Sequence, residues 1–217
     1  MENFHVDENI KKAETLPARF YRSDEVFELL KERVFKRSFQ WFGSINDLLP
    51  HESYVKPLLF VEGYLEEPFF IRKDAKLGLT CFSNVCTHRG NLIFHHEGVS
   101  KRITCGYHGR TWATDGAFKF MPEFKDVEGF PRACDHLKPF ETAQLGPQLF
   151  VGVEPNIDIG NVLSKMNERI GFLPLNEFKF DPSQSKDYLV NCHWALYCDN
   201  YLEGFHIPFV HEDLNAA

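Results

Sequence analysis

Cys86-Thr-His88-Arg-Gly90 and, a short way on, Cys105-Gly-Tyr-His108-Gly109 decide how the rest of the chain is read. Each stretch offers one thiol and one imidazole, C-x-H and then C-x-x-H. Donors of this kind hold zinc or an iron–sulfur cluster. A zinc finger of the two-Cys, two-His kind draws its thiols from one turn and its imidazoles from one helix. Here each stretch supplies one of each, and neither has a helical pattern. That distribution suits a 2Fe–2S cluster in which one iron takes both thiolates and the other both imidazoles. Neutral imidazoles leave such a cluster less negative than four thiolates would, which raises its potential. Gly90, Gly106 and Gly109 allow backbone N–H groups to come close to sulfur. A zinc-stabilised binding module stays open on these residues alone.

Short β-rich runs lie on both sides of the two stretches: Leu58–Val61, Phe69–Arg72, Leu79–Asn84, Arg102–Cys105, Thr111–Thr114 and Ala117–Phe120. Asp115-Gly116 signals a two-residue hairpin, and Phe140–Gln144 and Gln148–Val153 flank Gly146-Pro147. The spacing predicts a small antiparallel β domain over 41–154. Residues 1–40 read as a polar lead followed by one amphipathic helix. That helix is capped by Ser23, is acidic in its first turn (Asp24, Glu25) and runs to Lys36-Arg37. Residues 155–217 read as a linker, a helix over Val162–Ile170, strand-like Glu177–Phe180 and an extended Tyr188–Asn191. A second helix follows from about His193 to Phe205, bent or ended by Pro208. The fold class expected is α+β.

Composition narrows the function classes. With 43% apolar and 25% charged residues the chain reads as an ordinary globular protein, and its 22 Phe must be largely interior. A net charge of −7 argues against a nucleic-acid surface. Apolar runs such as Pro57-Leu-Leu-Phe-Val61 are too short to span a bilayer. Met-Glu-Asn-Phe-His lacks the regions of a signal peptide, so a reducing cytoplasm is expected. Cys81, Cys134, Cys192 and Cys198 read as buried thiols, and His95 and His96, which follow the first loop, as facing solvent or a docking surface for an electron donor. His5, His51 and His136 have no partners in sequence.

The motif C-x-H-R-G with C-x-Y-H-G and a following D-G resembles the Rieske domain of ring-hydroxylating and related oxygenases. The resemblance implies Cys86, His88, Cys105 and His108 as ligands of the 2Fe–2S cluster. Respiratory Rieske proteins add a disulfide, but its two positions hold Asn91 and Tyr107 here, which favours the oxygenase or ferredoxin branch. Arg110 stands where the oxygenases commonly have Trp, and Trp112 follows two residues later.

A second constellation lies at Asp199-Asn-Tyr-Leu-Glu203-Gly-Phe-His206-Ile-Pro-Phe-Val-His211. Glu203 and His206 are i, i+3 and share a helix face. His206 and His211, five apart, converge only if the helix distorts, and Pro208 supplies a cause. Two His with a carboxylate and an open position are the non-haem Fe(II) arrangement that activates O2; the bland alternative is a buried helix with hydrogen-bonded His. The stretch resembles the catalytic iron motif of Rieske oxygenase α subunits. That resemblance implies His206 and His211 as ligands of a mononuclear iron. It also implies Glu203 as the carboxylate that relays electrons from a neighbouring subunit's Rieske domain. Trp194 fits the family's N-W-K, while His193 replaces its Asn and Ala195 its Lys.

In the family an Asp far downstream completes the iron site, so the chain is expected to be the opening part of a longer α subunit. It would hold an extension (1–40), the Rieske domain (41–154) and the start of an incomplete helix-plus-antiparallel-sheet catalytic domain (155–217). The resemblance implies a terminal oxygenase hydroxylating a small organic substrate with O2. Electrons would come from an NAD(P)H-dependent reductase, directly or through a ferredoxin, and the full-length subunits would form a homotrimer. Leu16-Pro-Ala-Arg-Phe-Tyr and D-N-Y-L-E resemble the choline, carnitine and glycine-betaine monooxygenase branch, which favours a quaternary-ammonium substrate over an aromatic one. A Rieske ferredoxin, a pure electron carrier, is the alternative, and it would leave 155–217 without a role.

Overall fold

The protein is described by a computed structural model covering residues 4–216, so the first three residues of the polar lead lie outside the described residues. It divides by packing into two units, Lys31–Asp181 and one built from both chain ends, up to Leu30 and from Pro182 onward.

The larger unit is three small antiparallel sheets. Strands β1 (Phe39–Ser44), β2 (Tyr54–Phe60), β3 (Glu67–Asp74) and β4 (Gly78–Ser83) come first. Two-residue and three-residue strands follow: β5 (Gly98–Val99), β6 (Ile103–Thr104), β7 (Thr111–Trp112) and β8 (Phe118–Phe120). The hairpin β9 (Glu141–Leu145) and β10 (Gln148–Gly152) completes the set. The sheet orders are β1-β10-β9, β4-β3-β2-β5 and β6-β7-β8.

The apolar run in β3 explains the layering. Successive side chains of a strand point to opposite faces. Phe69 and Ile71 therefore enter a first core with Phe60, Phe140, Leu149 and Val151, beneath the β1-β10-β9 sheet. Phe70 enters a second core with Val55, Phe82, Ile103 and Trp112, which also takes in Cys86 and Cys105. A strand buried on both faces reads as continuous rather than alternating, as this one does. Each fully buried ring or branched chain is worth about 1.5–3 kcal/mol, so the second core holds the ligand loops firmly against the middle sheet.

Several expectations need correction. The hairpin at Asp115-Gly116 is one residue longer than a two-residue turn: Ala113 N–H donates to Ala117 O at 2.8 Å across residues 114–116. Gly116 has φ +82°, and a Cβ there would lie 2.6 Å from the Phe82 ring, so only glycine fits. Strands β1 and β5 did not stand out in sequence. β1 pairs with β10 through an irregularity between Trp41 and Gly43, and Gly43 has φ +105°. Glu177–Phe180 is no strand: a 3-10 turn covers Leu175–Glu177. Before it, α4 (Ile159–Ile170) is capped by Asp158, whose side chain accepts from Asn161 N–H. A short α3 (Ile45–Leu48) follows β1.

In the chain-end unit α1 (Ala18–Arg22) precedes α2 (Asp24–Leu30), whose first turn is capped by the Ser23 hydroxyl accepting from Val26 N–H at 3.4 Å. The helix continues not as α but as a wider π turn over Lys31–Phe35. Tyr188–Asn191 is irregular and exposed. Helix α5 spans Trp194–Leu202 and stops earlier than its apolar pattern suggests, because Glu203 adopts an extended backbone and Gly204 follows. Pro208 neither bends nor ends it. Instead it sits in the first turn of a separate one-turn helix, α6 (Ile207–Val210), where a missing N–H costs nothing. A last turn, α7, covers Glu212–Asn215.

Only Cys81 of the four non-motif cysteines is buried, its thiol pushed far above the ordinary range by that burial; Cys134, Cys192 and Cys198 are exposed, against expectation. Among the described residues no helix is long and apolar enough to cross a membrane.

Candidate metal centres

The two Cys–His loops are built alike although their spacings differ. In the first, Cys86 N–H donates to Asn91 O at 2.8 Å and Gly90 N–H to Cys86 O at 3.0 Å. In the second, Cys105 N–H donates to Arg110 O at 2.8 Å and Gly109 N–H to Cys105 O at 3.1 Å. Gly90 and Gly109 hold the same left-handed backbone, φ +70° and +71°. That conformation closes each turn and is favourable only for glycine. Gly106 has no such demand, and a Cβ there would meet nothing within 4 Å.

The loops pair like donors with like. The Cys86 and Cys105 side chains share the second core and influence one another's titration, and the His88 and His108 rings lie 4.8 Å apart, centre to centre. Among the described residues no three His, Cys, Asp or Glu side chains gather round a single-ion position. Two thiols together and two imidazoles together are what a binuclear cluster needs, one iron to each pair. Burial alone would raise the Cys105 thiol; hydrogen bonds from Tyr107 N–H, at 3.5 Å, and Asn91 Nδ2, at 3.6 Å, outweigh it and hold the thiol below its ordinary value. Burial is the chief cause that raises the Cys86 thiol. His88 Nδ1 is buried with no hydrogen-bond partner. Buried ring nitrogens are otherwise nearly always satisfied, so this orphan fits a metal ligand. Together with the donor types it means that the residues present fit a 2Fe–2S cluster.

Behind the first loop lies a charged network that sequence did not reveal. Arg110 is 3% exposed and Asp135 2% exposed, and Arg110 Nη1 reaches Asp135 Oδ1 at 3.1 Å and Thr87 Oγ1 at 2.7 Å. Thr87 passes its own hydrogen to Asp135 O at 3.0 Å, and Trp112 Nε1 donates to that same carbonyl at 3.0 Å. Burial would raise Asp135; donation from Arg132 and Arg110 overrides it and keeps the carboxylate below its usual range. Removing one partner of such a pair leaves a buried charge uncompensated, at a cost of about 3–5 kcal/mol. In sequence Arg110 stands out only by its place just after the second Cys–His motif.

In the chain-end unit the two His of the second motif are drawn together by α6. His206 caps its start and His211 its end, so one short turn brings the rings to 5.2 Å. This replaces the distorted continuous helix expected from the spacing. Glu203 Oε1 lies 2.5 Å from His206 Nδ1, and Glu203 Oε2 accepts from Phe205 N–H at 2.6 Å. A carboxylate only accepts, so Nδ1 carries the hydrogen and Nε2 keeps its lone pair for a metal. The hydrogen bond to His206 holds the Glu203 carboxyl below its usual range. His206 and His211 bring two imidazoles side by side, and among the described residues no third His, Cys, Asp or Glu joins them in a metal-holding group.

His193 supports this segment. Its Nδ1 accepts from Ala195 N–H at 3.1 Å, capping α5, and its ring packs among Phe20, Tyr21, Phe27 and Trp194. Burial pushes His193 below its ordinary value, although the Asp199 carboxylate pulls the other way. The folded state thus favours neutral His193: its contribution to stability is complete above the unfolded value and is lost as pH falls through the lower, folded one. Taking the unfolded value as about 6.5, unfolding midpoints followed by tryptophan fluorescence should fall between about pH 7.5 and 5.5. His193→Asn, which keeps the cap, should flatten that fall; an unchanged slope would clear His193 of the effect. Nearby, Tyr21 Oη donates to Asp199 Oδ2 at 2.6 Å, which pushes the Tyr21 phenol up to about 12.

Residues 49–131 match the family model of the Rieske [2Fe-2S] domain. The carnitine monooxygenase oxygenase subunit of Escherichia coli K12 is 28% identical over 214 residues, which cover 97% of this chain and 55% of that protein. The chloroplastic choline monooxygenase of Beta vulgaris is 25% identical over 208 residues, 91% of this chain and 44% of that protein. The chain therefore spans about half the length of the curated relatives it matches. Among solved structures, the apo form of the quaternary ammonium Rieske monooxygenase CntA superposes with a TM-score of 0.72 at 24% identity, over 92% of this chain and 57% of that one. A naphthalene 1,2-dioxygenase from Rhodococcus sp. has a TM-score of 0.57 at 22% identity, over 70% of this chain and 36% of that one. The likeness to the curated relatives covers 91–97% of the chain, more than the β unit that an electron carrier alone would need. Residues 49–131 thus carry a Rieske [2Fe-2S] domain, and the chain as a whole is homologous to the oxygenase subunits of choline and carnitine monooxygenases.

Proposed function

We propose that this chain provides the electron entry and the opening of the O2-activating site in the terminal component of a Rieske monooxygenase acting on a small quaternary-ammonium compound. The observation that carries the reading is the coexistence, in one chain, of the paired Cys–His loops with the orphaned His88 Nδ1 and the His206–His211 pair beside Glu203. The bound cluster would supply one-electron transfer and the bound iron the activation of O2.

The chain's own part is holding and insulating. Cys86 and Cys105 would hold one iron of the cluster and His88 and His108 the other, with the second core keeping water from the thiols. His206 and His211 would hold the mononuclear iron through ring nitrogens. Glu203 Oε1 keeps the hydrogen on His206 Nδ1 and so aims Nε2 outward. In a homotrimer the same carboxylate would meet a cluster-ligating His of a neighbouring subunit. An NAD(P)H-dependent reductase, with or without a ferredoxin, would deliver electrons, and the cytoplasm suits six free cysteines. The substrate class rests on the carnitine and choline monooxygenases among the relatives.

Iron analysis tests the reading. The iron-loaded chain should hold about three irons and His206→Ala about two, with the EPR signal of the reduced cluster unchanged. Two irons in both proteins would remove the second centre, and a colourless protein would remove the first.

A further inference from the structure

We propose that Arg110 is a positioning residue that sets how strongly the neighbouring cluster holds its electron. Its buried guanidinium, clamped to Thr87 and Asp135 behind the first Cys–His loop, stabilises the reduced cluster. The inference rests on the Rieske reading of that loop and goes beyond its ligands.

Reduction is a one-electron step that adds one negative charge to the cluster and moves no proton at Arg110, which stays protonated in proteins. A fixed positive charge nearby therefore favours the reduced form. The structure places that charge close and away from water. Thr87, the residue between the ligands Cys86 and His88, accepts from Arg110 Nη1 at 2.7 Å, and Arg110 and His88 line one cleft of about 290 Å³. The Phe118 and Phe130 rings each lie 5.4 Å from the guanidinium carbon, and Nε points to Met121 Sδ at 3.4 Å. Apolar walls of this kind strengthen a charge's field by excluding water.

Asp135 does not cancel the effect. Its carboxylate is shared with a second cation, since Arg132 N–H and Nε both donate to Oδ2, at 2.8 and 3.4 Å. Two guanidinium groups against one carboxylate leave the network net positive.

The test is the reduction potential of the cluster-loaded chain, titrated at an electrode and followed by the visible and EPR spectra. Arg110→Met should move the potential negative, Asp135→Asn should move it positive, and Arg110→Lys should stay nearest to wild type. Shifts of opposite sign from the two partners are the mark of charge, because loosening the same network would move both variants the same way. Intact spectra with an unmoved potential in Arg110→Met, or shifts of one sign, overturn the proposal. If Arg110→Met fails to hold its cluster, Asp135→Asn decides alone: a positive shift supports the proposal, and no shift or a negative one overturns it. Absence of a Rieske spectrum in the wild-type chain would instead remove the reading beneath it.

Discussion

Cys86→Ser should bleach the protein. The Cys86 thiol sits against the Cys105 thiol inside the second core, with Phe82, Ile103 and Trp112 around them. A serine oxygen is a poor partner for a cluster iron that is otherwise held by soft sulfur. The expected result is loss of visible absorption and of the reduced-state EPR signal, with iron falling by about two per chain. Stability should follow, because a group that binds only the folded chain adds its binding free energy to folding. Even about 3 kcal/mol of such linkage would lower the melting midpoint by about 6–12 °C for a chain of this size. Cys134→Ser, at an exposed thiol outside the loops, is the matched control and should keep colour and midpoint. A coloured Cys86→Ser protein with wild-type EPR would discard the ligand assignment.

The other large effect is at Glu203, in an enzyme carrying the complete catalytic half and supplied by its reductase. Glutamine keeps an oxygen that can accept from His206 Nδ1–H, so the ring orientation and the iron should survive Glu203→Gln. What it removes is the charge that would accept from a cluster-ligating His across the subunit boundary. Reductase-driven turnover should fall about 100-fold with both metals still bound. Glu203→Ala, which takes away the acceptor as well, should in addition weaken the iron by about 10- to 100-fold. Full turnover in Glu203→Gln would show that the carboxylate orients His206 and relays nothing.

Much of this protein was legible because its chemistry is local. Cys86, His88, Cys105 and His108 fall in two short loops, and a Gly at the end of each loop marks the left-handed turn that shapes it. The strands of the larger unit could be read because their β-rich runs are bounded by Gly, Asp and Pro. Helix ends were less legible. The apolar pattern of α5 runs on through Phe205, yet the helix stops at Leu202 because Glu203 turns to accept from Phe205 N–H and His206. In sequence Pro208 has the look of a breaker, yet it is a starter; proline suits the first turn of a helix as well as it spoils the interior. Cys134, Cys192 and Cys198 were expected inside on residue type alone, and a lone cysteine carries no signal of which face it will occupy.

Sequence by itself determined the donors, their division between two loops and the second pair of imidazoles, since each depends on residues a few positions apart. Only the tertiary structure brought the two loops together so that thiol meets thiol and imidazole meets imidazole, as that division requires, and this needs the second sheet and the third to meet over Phe70 and Trp112. It also decided that Arg110 has Asp135 for a partner, 25 residues away in the chain. Burial made that pairing necessary: a guanidinium shut away from water must be met by a charge, and no local rule says where in the chain the charge will be.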